Sequence, residues 1–202
     1  MTLYCATGNA GKLREFQLAG KRFGIAAVPL AGLDAISPCP EDGRTFEENA
    51  IRKALYYGAH APGPLFADDS GLEVDALGGA PGVYSARFAG ENATDAANNR
   101  LLLEKLHGVA DRRARFVCVI ALTQPGAPAP VTFRGSVEGE ILEEPHGAGG
   151  FGYDPLFYYP PFACSFGELS ADRKFDVSHR GQALAALFAH LSERDKLQFG
   201  HA

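Results

Sequence analysis

Residues 2–18, TLYCATGNAGKLREFQL, place a short apolar run before a glycine-bearing turn and a stretch with helical spacing. The apolar run predicts a β-strand at residues 2–6, and the spacing that follows predicts a helix at 11–18. A strand that leads through a turn into a helix is typical of α/β folds, and we therefore predict an α/β protein with a mixed β-sheet. The other predicted elements are strands at 25–30 and 65–67, helices at 45–59, 94–106 and about 178–192, a hairpin formed by 114–123 and 130–137, and a glycine-rich loop at 147–152.

The composition is that of an ordinary globular protein of 202 residues, with 46% hydrophobic and 21% charged residues. No internal repeat or long linker divides the chain, so residues 1–202 are predicted to form a single domain. The net charge of −5 argues against nucleic acid as a partner, because proteins that bind its backbone need a basic surface. No apolar run approaches the roughly 18 residues of a membrane span and the first residues show no signal-peptide pattern, so we expect a cytoplasmic protein that does not bind a membrane.

Cys5 and Cys118 lie within apolar runs of the sequence. None of the four cysteines shows the close spacing of a zinc or redox motif. We therefore predict buried, reduced thiols rather than a metal site built from cysteine.

The turn after the first strand, TGNAGK at residues 7–12, has the composition of a phosphate-binding loop. Free backbone N–H groups at a helix N-terminus carry about half a positive charge, and Lys12 adds a full charge. The spacing differs from that of a Walker A loop, which has more residues between its first glycine and the Gly-Lys pair. A tight turn with Asn9 in a left-handed conformation would explain the same residues, so both interpretations stay open at this point.

A second cluster, EDGRTFEEN at residues 41–49, is acidic and leads into the predicted helix at 45–59. Thr45 and Glu48 match a capping box, which gives Glu48 a structural role. Glu41 lies outside the helix in a loop and is free to bind a metal ion. A solvated loop carboxylate is the alternative for Glu41.

The third cluster, LFADDSGL at residues 65–72, places Asp68 and Asp69 directly after the predicted strand 65–67. Ligand clefts of β/α sheets open at such strand ends. Because successive residues of an extended chain face opposite ways, one carboxylate can bind Mg²⁺ or position water while the other fastens the loop. An Asp-Ser-Gly turn is the structural alternative, although two buried carboxylates are costly unless a cation or hydrogen-bond donors meet them.

Two later segments also carry residues suited to a nucleotide. GAGGFGYDP at residues 147–155 joins flexible glycines to Phe151, whose ring could stack on a base. KFDVSHRG at residues 174–181 brings Lys174, His179 and Arg180 to the start of the last predicted helix, where they could meet an anion or the edge of a base. Any one of these residues alone would be typical of a solvated helix end. Their occurrence beside two acidic clusters favours a nucleotide site.

Five motifs in this order closely resemble those of the inosine triphosphate pyrophosphatase family: TGNAGK, TFEENAIRKA, FADDSGLEVDALGGAPGVYSARFAG, GGFGYDPLF and SHRGQAL. The resemblance runs from about residue 2 to residue 190. The family hydrolyses non-standard purine nucleotides, ITP, dITP and XTP, to the monophosphate and pyrophosphate with Mg²⁺, and so cleanses the nucleotide pool. The resemblance implies an elongated mixed β-sheet with flanking helices, two lobes around a central nucleotide-binding cleft, and a homodimer.

Carried over residue by residue, the family pattern makes Asp69 the general base and makes Glu41 and Asp69 the Mg²⁺ ligands. It assigns triphosphate contacts to the first turn, and base and sugar contacts to the later segments. The substrate-binding residues that the resemblance implies are Thr7, Gly8, Asn9, Ala10, Gly11, Lys12, Lys53, Ser70, Phe151, Gly152, Tyr153, Asp154, Lys174, His179 and Arg180. The loop SFGEL at 165–169 follows the family pattern less closely, and no function is assigned to Glu168.

Two other functions stay open from the sequence. The first is a pyrophosphatase for modified pyrimidine or methylated nucleotides, which a panel of substrates would distinguish. The second is a nucleotide-sensing module without catalysis, which would bind ITP but show no Mg²⁺-dependent turnover. The presence of both Glu41 and Asp69 speaks against the second alternative.

Overall fold

The computed structural model of the protein describes residues 1–199, with side chains up to residue 193. In this range seven strands form one mixed sheet in the order β2-β1-β3-β4-β5-β6-β7. β1 runs parallel to β2 and β3, whereas the strands from β3 to β7 pair antiparallel. The predicted α/β class with a mixed sheet is confirmed. The strands are β1 Thr2–Cys5, β2 Ala26–Pro29, β3 Leu65–Val74, β4 Arg113–Thr123, β5 Val131–Ile141, β6 Phe157–Tyr159 and β7 Cys164–Ser165.

Helices cover both faces of the central strands. Alternate residues of β4 show the two faces: Cys118 and Ile120 lie in a buried cluster with α1 and α5, and Val117 and Val119 lie in another with α2. Successive side chains of a strand point to opposite faces, so two separate buried clusters show that β4 is covered on both sides. The α-helices of the described range are α1 Ala10–Phe23, α2 Phe46–Gly58, α3 Asp95–Lys105, α4 Ala171–Val177 and α5 His179–Phe199.

Side-chain caps define where the first two helices begin. Asn9 Oδ1 accepts a hydrogen bond of 3.0 Å from the Lys12 N–H and has φ −85°, so the left-handed alternative for Asn9 is wrong. Thr45 Oγ1 accepts from the Glu48 N–H at 3.1 Å. The Glu48 carboxylate in turn accepts from the Arg44 N–H at 2.6 Å, one residue before the partner expected for a capping box. The structural role of Glu48 is confirmed.

The strand that carries the two aspartates is longer than predicted. β3 spans Leu65–Val74, so Asp68 and Asp69 lie inside the strand rather than after its end, and the alternative of an Asp-Ser-Gly turn is wrong. β3 pairs with β4 along this whole length, with Asp68 opposite Ile120. The ladder of backbone hydrogen bonds to a distant strand overrides the local polar pattern.

Other boundaries also differ from the predictions. The second arm of the hairpin, predicted at 130–137, extends as β5 to Ile141, and the last helix, predicted at 178–192, extends as α5 to Phe199. The elements β6, β7 and α4 were not predicted. A third buried cluster, which includes Phe116, Phe157 and Phe166, fills the region between β4 and these later elements.

The predictions about the cysteines, membrane spans, domain organisation and location have different outcomes. Cys5 and Cys118 are buried and free, as predicted, and burial raises the pKa of each thiol to about 12. No helix in the range that the structure describes is both long and apolar enough to cross a bilayer. The single-domain organisation of residues 1–202, the two lobes and the cytoplasmic location stay predictions.

Candidate active site

A cleft of about 330 Å³ opens where the end of β1, the middle of β3 and the turn before β6 come together. The structure brings residues of all five sequence motifs to its walls. The predicted site residues that line it are Thr7, Gly8, Asn9, Lys12, Glu41, Lys53, Asp69, Ser70, Phe151, Gly152, Tyr153, Asp154, Lys174, His179 and Arg180.

Two residues of the predicted phosphate loop do not line the cleft. Ala10 is the first residue of α1, and Gly11 lies beneath the ring of Phe151. A Cβ atom at Gly11 would come within 2.5 Å of that ring. Gly11 therefore allows the aromatic side chain to approach the helix, while direct contact of Ala10 or Gly11 with substrate stays a prediction.

Asp69 projects from β3 toward α2, where it meets donors on both carboxylate oxygens. Lys53 Nζ lies 2.8 Å from Oδ1, and the Asn49 side-chain amide donates to Oδ2 at 3.1 Å. The other end of the Asn49 amide accepts from the Gly43 N–H at 2.8 Å, so Asn49 joins Asp69 to the acidic loop. Burial raises the pKa of Asp69 above its ordinary value, although Lys53 and Lys12 act in the opposite direction. A carboxylate with a raised pKa is a stronger proton acceptor.

Asp68 projects to the opposite face of β3 and has a different environment. Its Oδ2 lies 2.9 Å from Lys12 Nζ and 3.5 Å from Arg180 Nη2. Burial alone would raise the pKa of Asp68, but the charges of Lys12 and Arg180 outweigh it and hold that pKa well below its usual range. Asp68 is therefore ionised at neutral pH and pairs with cations of two helices. The two adjacent aspartates have separate surroundings, as the strand period predicted.

Glu41 lies at the exposed edge of the cleft, beside the pair formed by Asp69 and Lys53. Lys53 Nζ is 3.3 Å from the Glu41 carboxylate, so one ammonium group contacts both carboxylates. Burial alone would lower the pKa of Lys53, but the charges of Asp69, Asp68 and Glu41 raise it. Lys53 is therefore charged, and it screens the repulsion between the carboxylates of Glu41 and Asp69.

These carboxylates fit the ligand preference of Mg²⁺. Among the side chains that the structure describes, no group of three or more histidine, cysteine, aspartate or glutamate residues could hold a metal ion by itself. Mg²⁺ is commonly bound by one or two carboxylates, with waters and substrate phosphates completing its shell. Glu41 and Asp69 are two carboxylates of this kind in the cleft, and Mg²⁺ binding by them stays a prediction.

The aromatic wall of the cleft is built around Phe151. The Lys174 Nζ and the Arg180 guanidinium carbon lie 4.8 and 5.5 Å from the centre of its ring. The Phe151 N–H donates to the Asp154 carboxylate at 2.8 Å, which holds the turn. Gly152 follows with φ 63°, a left-handed conformation that glycine adopts without strain. The ring of Phe151 therefore packs closely against Gly11 of α1 and has two cations beside it.

A buried ion network lies behind this wall, and the sequence did not point to its central residue, Glu15. The Glu15 carboxylate lies 2.5 Å from Arg180 Nη1 and 2.8 Å from Lys174 Nζ, and Lys174 also pairs with Asp154 at 2.5 Å. Burial alone would raise the pKa of Glu15, but Arg180 and Lys174 lower it. Glu15 follows the predicted phosphate loop closely in sequence, but nothing local indicates its partners in α4 and α5.

His179 and Arg180, predicted to contact the purine edge, differ in how their donors are used. Arg180 Nη2 donates to Ser70 Oγ at 2.7 Å, and Nη1 is paired with Glu15, so much of the guanidinium is already engaged. His179 is 4% exposed, its ring stacks on Phe116 with centroids 4.8 Å apart, and its Nδ1 has no partner among the described residues. Burial, followed by the Arg180 and Lys174 charges, lowers the pKa of His179 well below its ordinary value, so the ring is neutral. The base-reading roles of both residues stay predictions.

Three further residues of the cleft region were not predicted: Asn49, Arg87 and Asp95. Asn49 is fully buried, and Arg87 and Asp95 line the cleft. The Asp95 carboxylate accepts from the Gly152 N–H at 2.7 Å, which fastens α3 to the aromatic turn. Asn49 and Arg87 lie within the motifs TFEENAIRKA and FADDSGLEVDALGGAPGVYSARFAG, so their position in those motifs was the available signal.

Comparison with known proteins shows which family the chain resembles. Residues 3–190 match the model of the Ham1 family. A dITP/XTP pyrophosphatase of Desulfotalea psychrophila is 52% identical over 184 residues, covering 91% of this chain and 82% of that protein. A dITP/XTP pyrophosphatase of Chromobacterium violaceum is 50% identical over 190 residues, covering 94% of this chain and 96% of that protein.

Solved structures agree with the sequence comparison. The structure of a HAM1 protein from Coxiella burnetii superimposes with a TM-score of 0.85 at 43% identity, covering 96% of this chain and 99% of that one. The Ham1 protein of Staphylococcus aureus gives a TM-score of 0.83 at 42% identity, covering 96% of this chain and 100% of that one. The resemblance drawn from five short motifs is confirmed over most of the chain, and the protein belongs to the Ham1 family.

Proposed function

We propose that the protein is a Mg²⁺-dependent nucleoside triphosphate pyrophosphatase that hydrolyses ITP, dITP and XTP to the monophosphate and pyrophosphate. The observation that carries this proposal is the cleft, in which the carboxylates of Glu41 and Asp69 and the ring of Phe151 line one space. Relatives named dITP/XTP pyrophosphatase at about 50% identity support the same activity. The substrate carries both a charged chain of phosphates and a flat base, and the cleft offers a wall suited to each.

The acidic side of the cleft supports hydrolysis. In the proposed reaction, water attacks the α-phosphorus, the bond from that phosphorus to the bridging oxygen breaks, and pyrophosphate leaves. Asp69 accepts the proton of the attacking water, and its buried position, which raises its pKa, suits this role. Bound Mg²⁺ would neutralise charge on the phosphate oxygens, and Glu41 and Asp69 are the residues that would hold it. Lys12 and the backbone N–H groups of the first turn bind phosphate oxygens in this proposal.

The aromatic side of the cleft supports selection of a purine with an oxygen at position 6. Phe151 stacks on the base, which favours all purines alike. Hydrogen-bond donors from Arg180, His179 and nearby backbone would match the 6-oxo group, which accepts hydrogen bonds. The amino group of adenine is itself a donor and would meet these donors without forming a hydrogen bond. A site built to pair with one group rejects its mismatched analogue strongly, because buried polar groups are left unpaired. Guanine shares the 6-oxo group, so its exclusion requires a wall near position 2.

A substrate panel tests this proposal. Pyrophosphate release is measured for ITP, dITP, XTP, the standard purine triphosphates and the pyrimidine triphosphates, each with and without Mg²⁺. We expect kcat/KM for ITP, dITP and XTP to exceed that for ATP or GTP by at least about 100-fold, and turnover to require Mg²⁺. The Asp69→Asn variant purified in parallel controls for contaminating phosphatases.

Three outcomes would contradict the proposal in different ways. Equal kcat/KM for ATP and ITP would remove the purine-edge selection. Preference for a modified pyrimidine would keep the reaction and replace the substrate. Tight binding of ITP without turnover would identify a nucleotide sensor. The homodimer, which light scattering after size-exclusion chromatography would measure, and the cytoplasmic location without nucleic-acid or membrane partners are proposed from the family resemblance and the composition.

A further inference from the structure

The cations that line the cleft differ in how their charge is compensated. Within the described part of the chain, Arg87 has no carboxylate in salt-bridge contact, whereas every other lysine or arginine of the cleft wall has one. Its Nη2 donates to the backbone carbonyl of Glu41 at 3.1 Å, and its guanidinium lies 5.1 Å from the centre of the Tyr84 ring. The compensated pairs are Lys12 with Asp68, Lys53 with Asp69, Lys174 with Asp154, and Arg180 with Glu15.

The backbone that carries Arg87 is held firmly against β3. Arg87 is the last residue of a 3₁₀ helix, Gly82–Arg87, in which Ser85 Oγ accepts from the Leu72 N–H of β3 at 2.8 Å. The Tyr153 hydroxyl donates to the Ser85 carbonyl at 2.8 Å, which ties the same helix to the turn that carries Phe151. The start of the arginine side chain is thus fixed in the cleft wall, while its head group retains unused donors.

This free charge lies on the side of the cleft that carries the predicted metal ligands. Arg87 contacts the backbone of Glu41, whose carboxylate lies 3.3 Å from Lys53 Nζ, and Lys53 in turn contacts Asp69. A nucleoside triphosphate brings about four negative charges to this region, and cations that already neutralise buried carboxylates offset little of that charge. A guanidinium presents a planar fork of N–H donors that matches two phosphate oxygens at once.

We propose that Arg87 binds the phosphates that leave as pyrophosphate. The inference rests on the proposed function and deepens it by naming a cation for the leaving group. Arg87 is then a substrate-binding residue whose free charge is neutralised only when the phosphate chain enters the cleft. The hydrogen bond to the Glu41 carbonyl holds the guanidinium beside the predicted metal ligands. Because that carbonyl is uncharged, the positive charge of Arg87 stays uncompensated.

Binding of inorganic pyrophosphate tests this role without turnover. Titration calorimetry in saturating Mg²⁺ is run on the unmodified protein, Arg87→Gln, Arg87→Lys and the control Arg100→Gln. Arg100 is an exposed residue of α3 that pairs with Glu104, one helical turn away, so its loss leaves the cleft intact. We expect Arg87→Gln to weaken pyrophosphate binding by about 10- to 100-fold, Arg87→Lys to restore part of the affinity, and Arg100→Gln to change nothing. Binding of inosine monophosphate should be the same in all four proteins.

Kinetics separate a direct contact from an effect through Glu41. If Arg87 contacts the leaving group, the inhibition constant for product pyrophosphate rises in Arg87→Gln even in saturating Mg²⁺. If the variant only requires more Mg²⁺ and its pyrophosphate inhibition is unchanged, Arg87 merely holds the Glu41 loop and the proposal is overturned. An equal loss of pyrophosphate and monophosphate binding would also overturn it.

The outcome also separates this inference from the proposed function. Normal dITP hydrolysis with unchanged pyrophosphate affinity in Arg87→Gln would remove the Arg87 role and leave the activity standing. Pyrophosphate binding that depends on Arg87 in a protein with no turnover of any triphosphate would keep the site and remove the activity. Absence of pyrophosphate binding by the unmodified protein would overturn the Arg87 proposal directly.

Discussion

Replacing Asp69 by asparagine should separate catalysis from folding. The change keeps the shape of the side chain but removes the charge that binds the metal and accepts the proton of the attacking water. Loss of a general base and of one of two carboxylate ligands is expected to lower kcat by roughly 10²- to 10⁴-fold. The adjacent residue, Asp68, offers a contrast in stability because its carboxylate pairs with Lys12 and Arg180 instead of Lys53.

The effect of Asp69→Asn on stability should be small. Burial raises the pKa of Asp69, which means that the native protein disfavours its ionised form, and a neutral side chain removes that cost. In the native protein the Asn49 side-chain amide donates to Asp69 Oδ2 at 3.1 Å. An asparagine at position 69 would place its own N–H donors against that donor, and the lost hydrogen bond costs about 1–3 kcal/mol. Since the two terms oppose each other, we expect the free energy of unfolding to change by less than about 2 kcal/mol.

Asp68→Asn should show the reverse pattern in stability. The Asp68 side chain is 1% exposed and compensates Lys12 and Arg180, and removing one partner of a buried ion pair costs about 3–5 kcal/mol. For a chain of this size the melting temperature would fall by about 6–20 °C. Because the folded pKa of Asp68 is depressed, its stabilisation is present above the unfolded pKa of about 4 and is lost as the pH falls toward the folded value. The difference between the unmodified protein and Asp68→Asn should therefore shrink in acid.

Pyrophosphate release from dITP and thermal unfolding, measured on both variants at neutral pH, give the test. We expect a stable, inactive Asp69→Asn and a destabilised Asp68→Asn. Near-normal turnover by a folded Asp69→Asn would reassign the base. A melting temperature unchanged in Asp68→Asn would refute the ion-pair account of that residue.

Three further predictions address the metal, the pH profile and the base. Glu41→Gln should raise the Mg²⁺ concentration needed for half-maximal activity, and an unchanged Mg²⁺ titration would remove Glu41 from the metal site. Turnover should fall as the pH drops, because Asp69 acts in its ionised form and its raised pKa brings its protonation to a higher pH than that of an ordinary aspartate; turnover that increases in acid would contradict that role. Phe151→Ala should weaken all purine nucleotides similarly, whereas Arg180→Ala should reduce the preference for ITP over ATP. Because Arg180 also pairs with Glu15, the thermal unfolding of Arg180→Ala is measured together with its kcat/KM. If the folded variant keeps the preference for ITP, Arg180 does not contact the purine edge.

Local sequence determined the elements whose causes are local. The strand, turn and helix of residues 2–18 follow from apolar spacing and from Asn9, whose side chain caps the helix within three residues. Thr45 and Glu48 begin α2 by the same short-range hydrogen bonding. The strand period also predicted that Asp68 and Asp69 face opposite ways, since that alternation is a property of any extended chain.

Tertiary structure alone decided the length of β3 and the partners of its charges. The polar residues 68–70 end the apolar pattern, yet the strand continues to Val74 because β4 supplies backbone hydrogen bonds from a distant part of the chain. Glu15 is joined to Lys174 and Arg180 only after α1, α4 and α5 pack together. Among the described residues, Arg87 has no carboxylate in salt-bridge contact, which only the folded structure reveals. Whether a buried charge is compensated depends on groups within a few ångströms in space, and the order of residues along the chain does not specify those neighbours.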